Sequence, residues 1–394
     1  MKVRPLIFAL LCLATGHIGA QEPYQMKGND SKIEADFLFS YYQQDGDHAA
    51  VTGGIGTEQL HDIAGLLVVN IPIDTFHALN ISLGVDQYSS ASTDRIDNHM
   101  SSASSGDMRT YANALFTRKN LSKGETYGIG LGFSTEYDYT SFSTRLSYTK
   151  EWNEGNSEIS LSGQAFLDRW DLIYPIELRN QVSLPTANRQ SFNAQAVYSQ
   201  VLSQRLQLAL SGELIYMRGL LSTPFHRVYF QEGAGLDIER LPDHRLKIPL
   251  AIRLNYFPFD GLIVRSYYRY YRDDFGITAH TAEIELPVKL GPVFTVYPFY
   301  RYHTQTAADY FAPYGEHTSA ETFYTSDYDL SALQSHKFGL GLKYAPPYGL
   351  ARAKVAKGNK LFLLKYLALR SAYYRRSTGL KAVLFSLDLG MSIE

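Results

Sequence analysis

The sequence predicts an all-β protein, an antiparallel transmembrane β-barrel of about 16 strands, in which apolar residues face lipid and polar residues face a lumen. Three observations predict it. Apolar and polar residues alternate with period two, which places them on opposite faces of strands. The alternating runs are roughly ten to thirteen residues long, closer to the roughly nine to eleven of a tilted bilayer crossing than to the usual five or six of a soluble strand. The connections between runs alternate between short and long, as in bacterial barrels with tight turns at one end and larger loops at the other.

The pattern is densest between Leu246 and His303. Leu246, Ile248, Leu250, Ile252, Leu254 and Tyr256 alternate with Lys247, Pro249, Ala251, Arg253 and Asn255. A turn at Phe257 to Gly261 leads into Leu262 to Tyr271, and a second at Asp273 to Gly276 leads into Gly276 to Lys289 and then Val293 to His303. Earlier runs are Ile33 to Tyr42, His61 to Ile71, Ala78 to Gln87, Met108 to Lys119, Glu125 to Tyr137, Ser141 to Trp152, Glu158 to Asp168, Ser191 to Val201 and Arg205 to Met217. Lys337 to Ala345, Leu361 to Tyr374 and Leu380 to Met391 complete the set. In Glu125 to Tyr137 the small face is Gly128, Gly130 and Gly132, read as lumen residues or points of curvature.

Between these runs the outer connections are 43–60, 88–107, a tight turn near 138, 169–190, 218–245, a tight turn near 273, 304–336 and a tight turn near 376. Those at the other end lie near 73, 121, 154, 203, 259 and 290, with 346–360 the single long one. Phe225 to Gln231 has strand character but would make the strand count odd, so it is placed inside the 218–245 loop, folded against or into the barrel. Tyr and Phe gather near run ends, at Tyr41, Tyr42, Tyr137, Tyr139, Tyr216, Phe257, Phe259, Tyr267, Tyr268, Tyr270, Tyr271, Tyr297 to Tyr302, Tyr373 and Tyr374. This is the expectation for aromatic girdles at the two interfaces.

Composition narrows the function. The 394 residues are 45% hydrophobic and 19% charged, a globular rather than a disordered balance. The formal net charge of −2 argues against a nucleic-acid partner. Residues 1–20 read as a secretory signal peptide: Lys2 and Arg4 precede the apolar Leu6 to Ala14, and Gly19-Ala20 offers a cleavage site. Residues 21–394 then form a single domain, in the bacterial outer membrane. Its implied partners are the lipid bilayer, the outer-membrane assembly machinery and an envelope protein. The one cysteine, Cys12, lies in the signal, so the processed chain has no disulfide, thiol nucleophile or thiolate metal ligand.

The face opposite the lipid carries the candidate pore-lining residues Lys247, Arg253, Arg265, Arg269, Glu283, Glu285, Arg301 and His303, with Asn255 among them. Earlier runs add Glu136, Arg145, Ser160, Ser162, Gln164 and Glu213. Arg and Glu on one face are expected to oppose each other's charge, since isolated buried charge is costly. The same face reads either as a selective pore lining or as a paired network that fills the barrel. No catalytic, cofactor or metal residue is assigned. His48 beside Asp45 and Asp47, and Asp94, Asp97 and His99, are acidic loop clusters of the solvated kind.

Several stretches together resemble an uncharacterised, domain-of-unknown-function family of bacterial secreted proteins regarded as outer-membrane barrels. They are Ser89-Ser90-Ala91-Ser92, Ser101-Ser102-Ala103-Ser104, Glu136-Tyr137-Asp138-Tyr139, Tyr268-Arg269-Tyr270-Tyr271-Arg272-Asp273-Asp274-Phe275-Gly276-Ile277, Ala279-His280-Thr281, Ala307-Ala308-Asp309-Tyr310-Phe311 and Tyr324-Thr325-Ser326-Asp327-Tyr328-Asp329-Leu330-Ser331. The resemblance implies a barrel and an envelope location, and no activity. An association with thioredoxin-like proteins and a flavin-transferring lipoprotein enzyme implies envelope redox or maturation work. Where many outer-membrane barrels finish on Phe or Trp, this chain ends Met391-Ser392-Ile393-Glu394. The expected function is a channel or transport pore with a charged lumen, gated by loops 218–245 and 304–336. A non-conducting scaffold for an envelope partner ranks second, and a barrel hydrolase third.

Overall fold

A computed structural model describes residues 32–89, 106–180, 185–233, 235–354 and 361–393. The signal peptide read in residues 1–20, both SSAS repeats beyond Ser89, and Asp94, Asp97 and His99 lie outside these. The strands in chain order are β1 (Ile33–Asp45), β2 (Leu60–Pro72), β3 (His77–Tyr88), β4 (Asp107–Asn120), β5 (Glu125–Thr135), β6 (Tyr139–Trp152), β7 (Ser157–Asp171), β8 (Thr186–Ser203), β9 (Leu206–Gly219), β10 (Arg227–Tyr229), β11 (Leu236–Ile238), β12 (His244–Phe259), β13 (Leu262–Asp273), β14 (Thr278–Glu285), β15 (Val288–Leu290), β16 (Phe294–Gln305), β17 (Leu333–Tyr344), β18 (Ala351–Lys354), β19 (Leu361–Arg376) and β20 (Lys381–Ile393). No helix among the described residues is long and apolar enough to cross a membrane.

Around the ring each strand pairs antiparallel with its neighbours, with β9 beside β12, β14 beside β16 and β17 beside β19, and the ring closes where β1 pairs with β20 from Ile33↔Ile393 to Asp45↔Lys381. Eighteen strand segments form this sheet, but β15 continues β14 and β18 only adds to the start of β19, so the ring has sixteen staves. The run read as continuous from Gly276 to Lys289 is therefore broken. Pro287 has no N–H to donate to the ladder, and its carbonyl accepts from Ile263 N at 3.0 Å while Leu286 N reaches Pro298 O at 3.0 Å. The Phe225 to Gln231 segment is not a stave: β10 pairs with β11 in a separate two-stranded hairpin inside the loop that follows β9.

Turn chemistry fixes the short end. Asn153, Glu154 and Gly155 all have left-handed backbone, with φ of 52°, 58° and 83°, and together they reverse the chain between β6 and β7. At the long-loop end, Gly276 has φ 87° and lies so close to the Asp309 carboxylate that a Cβ would overlap it.

Alternation then sorts the side chains. Outward positions hold Ile129, Leu131, Phe133, Phe142, Leu146, Leu161, Leu210, Leu214, Leu250, Ile252, Phe338, Leu340 and Phe385, all large, apolar and exposed. In water so much contiguous apolar surface would aggregate; it is the surface of a barrel that faces hydrocarbon. Gly128, Gly130 and Gly132 face inward: a Cβ on Gly132 would crowd Asn113 and Ser143, and one on Gly128 would crowd Ser147. Aromatic rings mark both rims of the outer surface. Trp152 stacks on Tyr198 at 6.2 Å and Phe294 on Tyr344 at 4.8 Å at the short-turn end. At the other end Tyr268 and Tyr300 hydrogen-bond His280 and His336, each at 2.8 Å. The girdle expectation is corrected in part, because alternation turns Tyr42, Tyr139, Tyr267, Tyr271, Tyr297 and Tyr374 into the barrel.

Exchanging Leu131, in the middle of β5, for Arg is expected to destabilise the folded barrel by about 2–4 kcal/mol, whereas Arg145→Leu on the inner face of β6 is expected to cost far less. Unfolding in lipid vesicles, followed by heat-modifiable gel mobility, measures both. Equal tolerance of the two changes would contradict the outward assignment.

Candidate functional site

The inner wall is charged, with cations in excess on one arc of the ring and anions in excess on another. Lys247 and Arg253 project inward from β12, Arg265 and Arg269 from β13, Glu283 and Glu285 from β14, and Arg301 and His303 from β16. The structure brings all eight onto one contiguous arc. Arg265 donates to Glu285 at 2.8 Å and Arg301 to Glu283 at 2.7 Å, the pairing that opposed charges on one face predict. His303 meets Thr281 through Nδ1 at 2.9 Å and Gln305 through Nε2 at 3.2 Å. Arg253 lies over the Tyr267 ring at 5.6 Å and Arg269 over Tyr271 at 5.8 Å, positions suited to cation–π attraction. The Arg265 side chain, although inside the barrel, is 46% exposed, so water reaches it there.

Three further cations on this arc are absent from the sequence reading. Lys337 and Lys343 face inward from β17 and Arg370 from β19. Arg370 also bonds Glu285 and lies across Gly341, where a Cβ would come within 3.1 Å of its Cγ. The opposite charge occupies a second arc, likewise missed: Glu34 and Asp36 on β1, Asp62 on β2, Asp86 on β3, Asp107 on β4 and Asp388 on β20 all face in. The signal was present in the alternation of Asp36 with Phe37 and Phe39. The seam between the arcs is bridged by Lys365 to Glu34 at 2.6 Å and by Tyr366 OH to Asp36 at 2.9 Å. Three inward rings lie flat over inward glycines on the next strand: Tyr111 on Gly84, Phe299 on Gly339 and Tyr366 on Gly390. A Cβ at any of these glycines would overlap the ring and push it into the lumen.

The long-loop end is different in kind. Loops 46–59, 172–180, 220–233, 235–243 and 306–332 fold over it as a cap and pack into one another. Leu221, Phe275, Ile277 and Ala308 form a buried apolar cluster with Leu241, Tyr310, Phe311 and Leu330 against it. Arg240 and Tyr324 exchange backbone hydrogen bonds of 3.0 and 2.7 Å. Arg227 reaches Glu177 at 2.8 Å and the Val51 carbonyl at 2.6 Å, tying three loops together. Inward residues beneath the cap, such as Tyr42, Leu60, Asp62 and Arg376, are buried. By contrast Asn113 and Arg145, further from it, are exposed to the lumen.

The motifs quoted from the sequence are mostly parts of this cap. Asp273 accepts from Phe275 N at 3.1 Å, Ile277 N at 3.0 Å and Tyr271 OH at 2.7 Å, and it pairs with Arg245. Within Tyr324 to Ser331, Tyr324 donates to Asp237 at 2.6 Å, Thr325 to Glu239 at 2.5 Å, and Asp329 accepts from Arg376 at 2.7 Å. His48 does not join Asp45 and Asp47: it bonds the Gly54 carbonyl at 2.9 Å and stacks on Tyr328 at 3.8 Å. Burial, followed by the nearby Asp329 carboxylate, pushes the Glu58 carboxyl up to about 8, against the pull of Arg376.

The fold and wall define a membrane-spanning β-barrel with a charged lumen and a folded cap. The chain belongs to the family described as protein of unknown function (DUF3570), whose model matches residues 20–377. Among solved structures it is similar to the siderophore receptor PirA from Pseudomonas aeruginosa (9% identity, TM-score 0.42, covering 92% of this chain and 80% of that one). It is also similar to a BenF-like porin from Pseudomonas fluorescens Pf-5 (10%, 0.41, 90% and 97%) and to OccK9 (OpdG) from Pseudomonas aeruginosa (10%, 0.42, 92% and 98%). No curated protein matches.

Glu58 generates a pH prediction. Its folded-state value lies above the ordinary 4.5, so its contribution to cap stability is present below the ordinary value and is lost as pH rises through about 8. Facing it are Gln44 on β1, Asp327 and Asp329 on the cap and Arg376 on β19. Proteolysis within 306–332 is expected to accelerate several-fold from about pH 6 to about pH 9, and the acceleration to shrink in Glu58→Gln. Identical pH profiles for the two proteins would contradict this.

Proposed function

We propose that the protein is a transport channel of the bacterial outer membrane, with its long loops outside, that passes small charged hydrophilic solutes and is gated by its cap. The observation that carries this reading is the uneven distribution of charge around the lumen, with Glu283 and Glu285 too few to balance the cations on one arc and Arg109 too few to balance the anions on the other. Lys247, Arg253, Arg265, Arg269, Arg301, Lys337 and Arg370 crowd one arc, while Glu34, Asp36, Asp62, Asp86, Asp107 and Asp388 crowd another. Local pairs neutralise part of the wall, as Arg265 with Glu285 and Arg301 with Glu283 do, but they leave an excess of cations on one arc and of anions on the other. That imbalance sets up a field across the lumen, which orients and selects ions. Water access at Arg265 and Arg145 fits the same reading. Assembly into the membrane then requires the envelope's barrel-insertion machinery.

A second reading has its own support. The packed cap, with its apolar cluster and loop-to-loop bonds, suits a closed scaffold whose outer surface holds an envelope partner. Neither reading assigns catalysis to the barrel.

Planar-bilayer recording of the purified protein separates the two. The channel reading expects small or infrequent openings in the full-length protein. It expects several-fold larger conductance when 306–332 is replaced by a short turn, and a shift of reversal potential toward cations when Arg253, Arg265 and Arg269 are changed to Glu. Silence in all three proteins, with an envelope protein retained on the intact cap, would favour the scaffold.

A further inference from the structure

We propose that the cap contains a binding site for a divalent transition-metal cation of the zinc class, formed by His226, Glu239 and Asp327, which fastens the loop between β9 and β12 to the loop between β16 and β17. This does not depend on whether the barrel conducts.

The three residues come from separate segments. His226 precedes β10, Glu239 follows β11, and Asp327 caps the short turn at Tyr328–Leu330. The His226 Nδ1, the Glu239 carboxylate and the Asp327 carboxylate each offer one atom, and all three atoms lie within 4.8 Å of one another. Nδ1 is 3.7 Å from Glu239 Oε1 and 3.9 Å from Asp327 Oδ2, beyond hydrogen-bond reach of both. Donor atoms around a tetrahedral dication with bonds of roughly 2.0–2.1 Å stand about 3.3–3.4 Å apart, so a closure of roughly 0.5–1.5 Å brings these to bonding distance.

An independent observation points to a ligand. Nδ1 of His226 is fully buried and has no hydrogen-bond partner among the described residues, and only 12% of the side chain remains accessible. A buried imidazole nitrogen aimed at two carboxylates and bonded to neither is an unsatisfied polar group, a costly arrangement unless something joins them. Charge leads to the same place. Arg376 is bonded to Asp329, and no Lys or Arg pairs with Glu239 or Asp327 among the described residues. The His226 imidazole is the one basic group within 4.0 Å of either carboxylate among the described residues, and a dication bound by all three balances both carboxylates.

The surroundings hold the donors in place. Glu239 accepts from Thr223 N at 2.6 Å and from Thr325 Oγ1 at 2.5 Å. Asp327 accepts from Asp329 N at 2.9 Å. Hydrogen bonds of this kind orient metal ligands from behind. The donor set selects the cation class: one imidazole nitrogen with two carboxylate oxygens suits Zn²⁺ and similar ions, whereas Ca²⁺ and Mg²⁺ prefer all-oxygen surroundings.

Zinc titration of the purified full-length protein in micelles, by calorimetry after chelator treatment, tests the proposal. One Zn²⁺ per chain is expected, uncompeted by equimolar Mg²⁺. His226→Gln and Asp327→Asn are each expected to weaken binding at least tenfold, the order of a lost metal-site interaction. Glu239 is left unaltered because it also anchors Thr223 and Thr325. Zinc is expected to slow proteolysis within 306–332 in the parent protein and not in the variants. Zinc-edge X-ray absorption on the unaltered protein, expected to show a single histidine nitrogen with oxygen neighbours, needs no variant to fold. Lack of stoichiometric binding, binding untouched by both variants, or a spectrum with several nitrogen neighbours would each overturn the assignment.

Discussion

Everything in this structure follows from one constraint: backbone N–H and C=O groups in hydrocarbon must find partners in the protein itself. Each unsatisfied group there costs several kcal/mol. A sheet satisfies all of them only by closing, and here β1 and β20 complete the ring over the whole length of β20. Closure removes the edges and leaves two surfaces, one against lipid and one around the lumen. Alternation then decides where every side chain goes. Leu250 and Ile252 are left outside because Arg253 is inside; the two placements are a single fact.

That sorting explains why the lumen is charged and why its charges can be spread so unevenly. Residues facing lipid cannot carry formal charge cheaply, so the strands' Arg, Lys, Asp and Glu turn inward. Once inside, they relax by local pairing, as in Arg265 with Glu285 and Arg301 with Glu283, or by lying over aromatic rings, as Arg253 does on Tyr267. Glycine has a spatial role on the same face. Gly84, Gly339 and Gly390 let Tyr111, Phe299 and Tyr366 lie against the wall rather than across the lumen. The cap answers a different problem. Its loops are long enough to build their own apolar cluster, so they pack against one another over the end of the barrel.

The barrel was highly legible in the sequence because period-two alternation over a bilayer's length is a strong and local signal. Strand number, the order of short and long connections, and the fate of Phe225 to Gln231 could all be read from it. What could not be read was anything that depends on contacts across the ring. The acidic arc is contributed by β20 and β1 to β4, from opposite ends of the chain, and only closure makes it one surface. Arg370 meets Glu285 from three staves away, a contact that strand alternation does not reveal. His226, Glu239 and Asp327 are separated by long irregular loops with no periodicity to bring them together on paper. Aromatic residues are ambiguous for a simpler reason: Tyr suits a rim, a lumen wall and a strand equally, and only its parity within the strand decides among them, as Tyr41 and Tyr42 show.

The most direct measurement of the central claim is a nitroxide scan along β6. The chain has one cysteine, Cys12; with it replaced, single cysteines from 142 to 149 can be spin-labelled in protein reconstituted into lipid vesicles. The account predicts that labels at 142, 144, 146 and 148 collide preferentially with oxygen dissolved in the bilayer, while those at 143, 145, 147 and 149 collide preferentially with a water-soluble nickel complex. Loss of the alternation, or water access at 142 and 146, would contradict it.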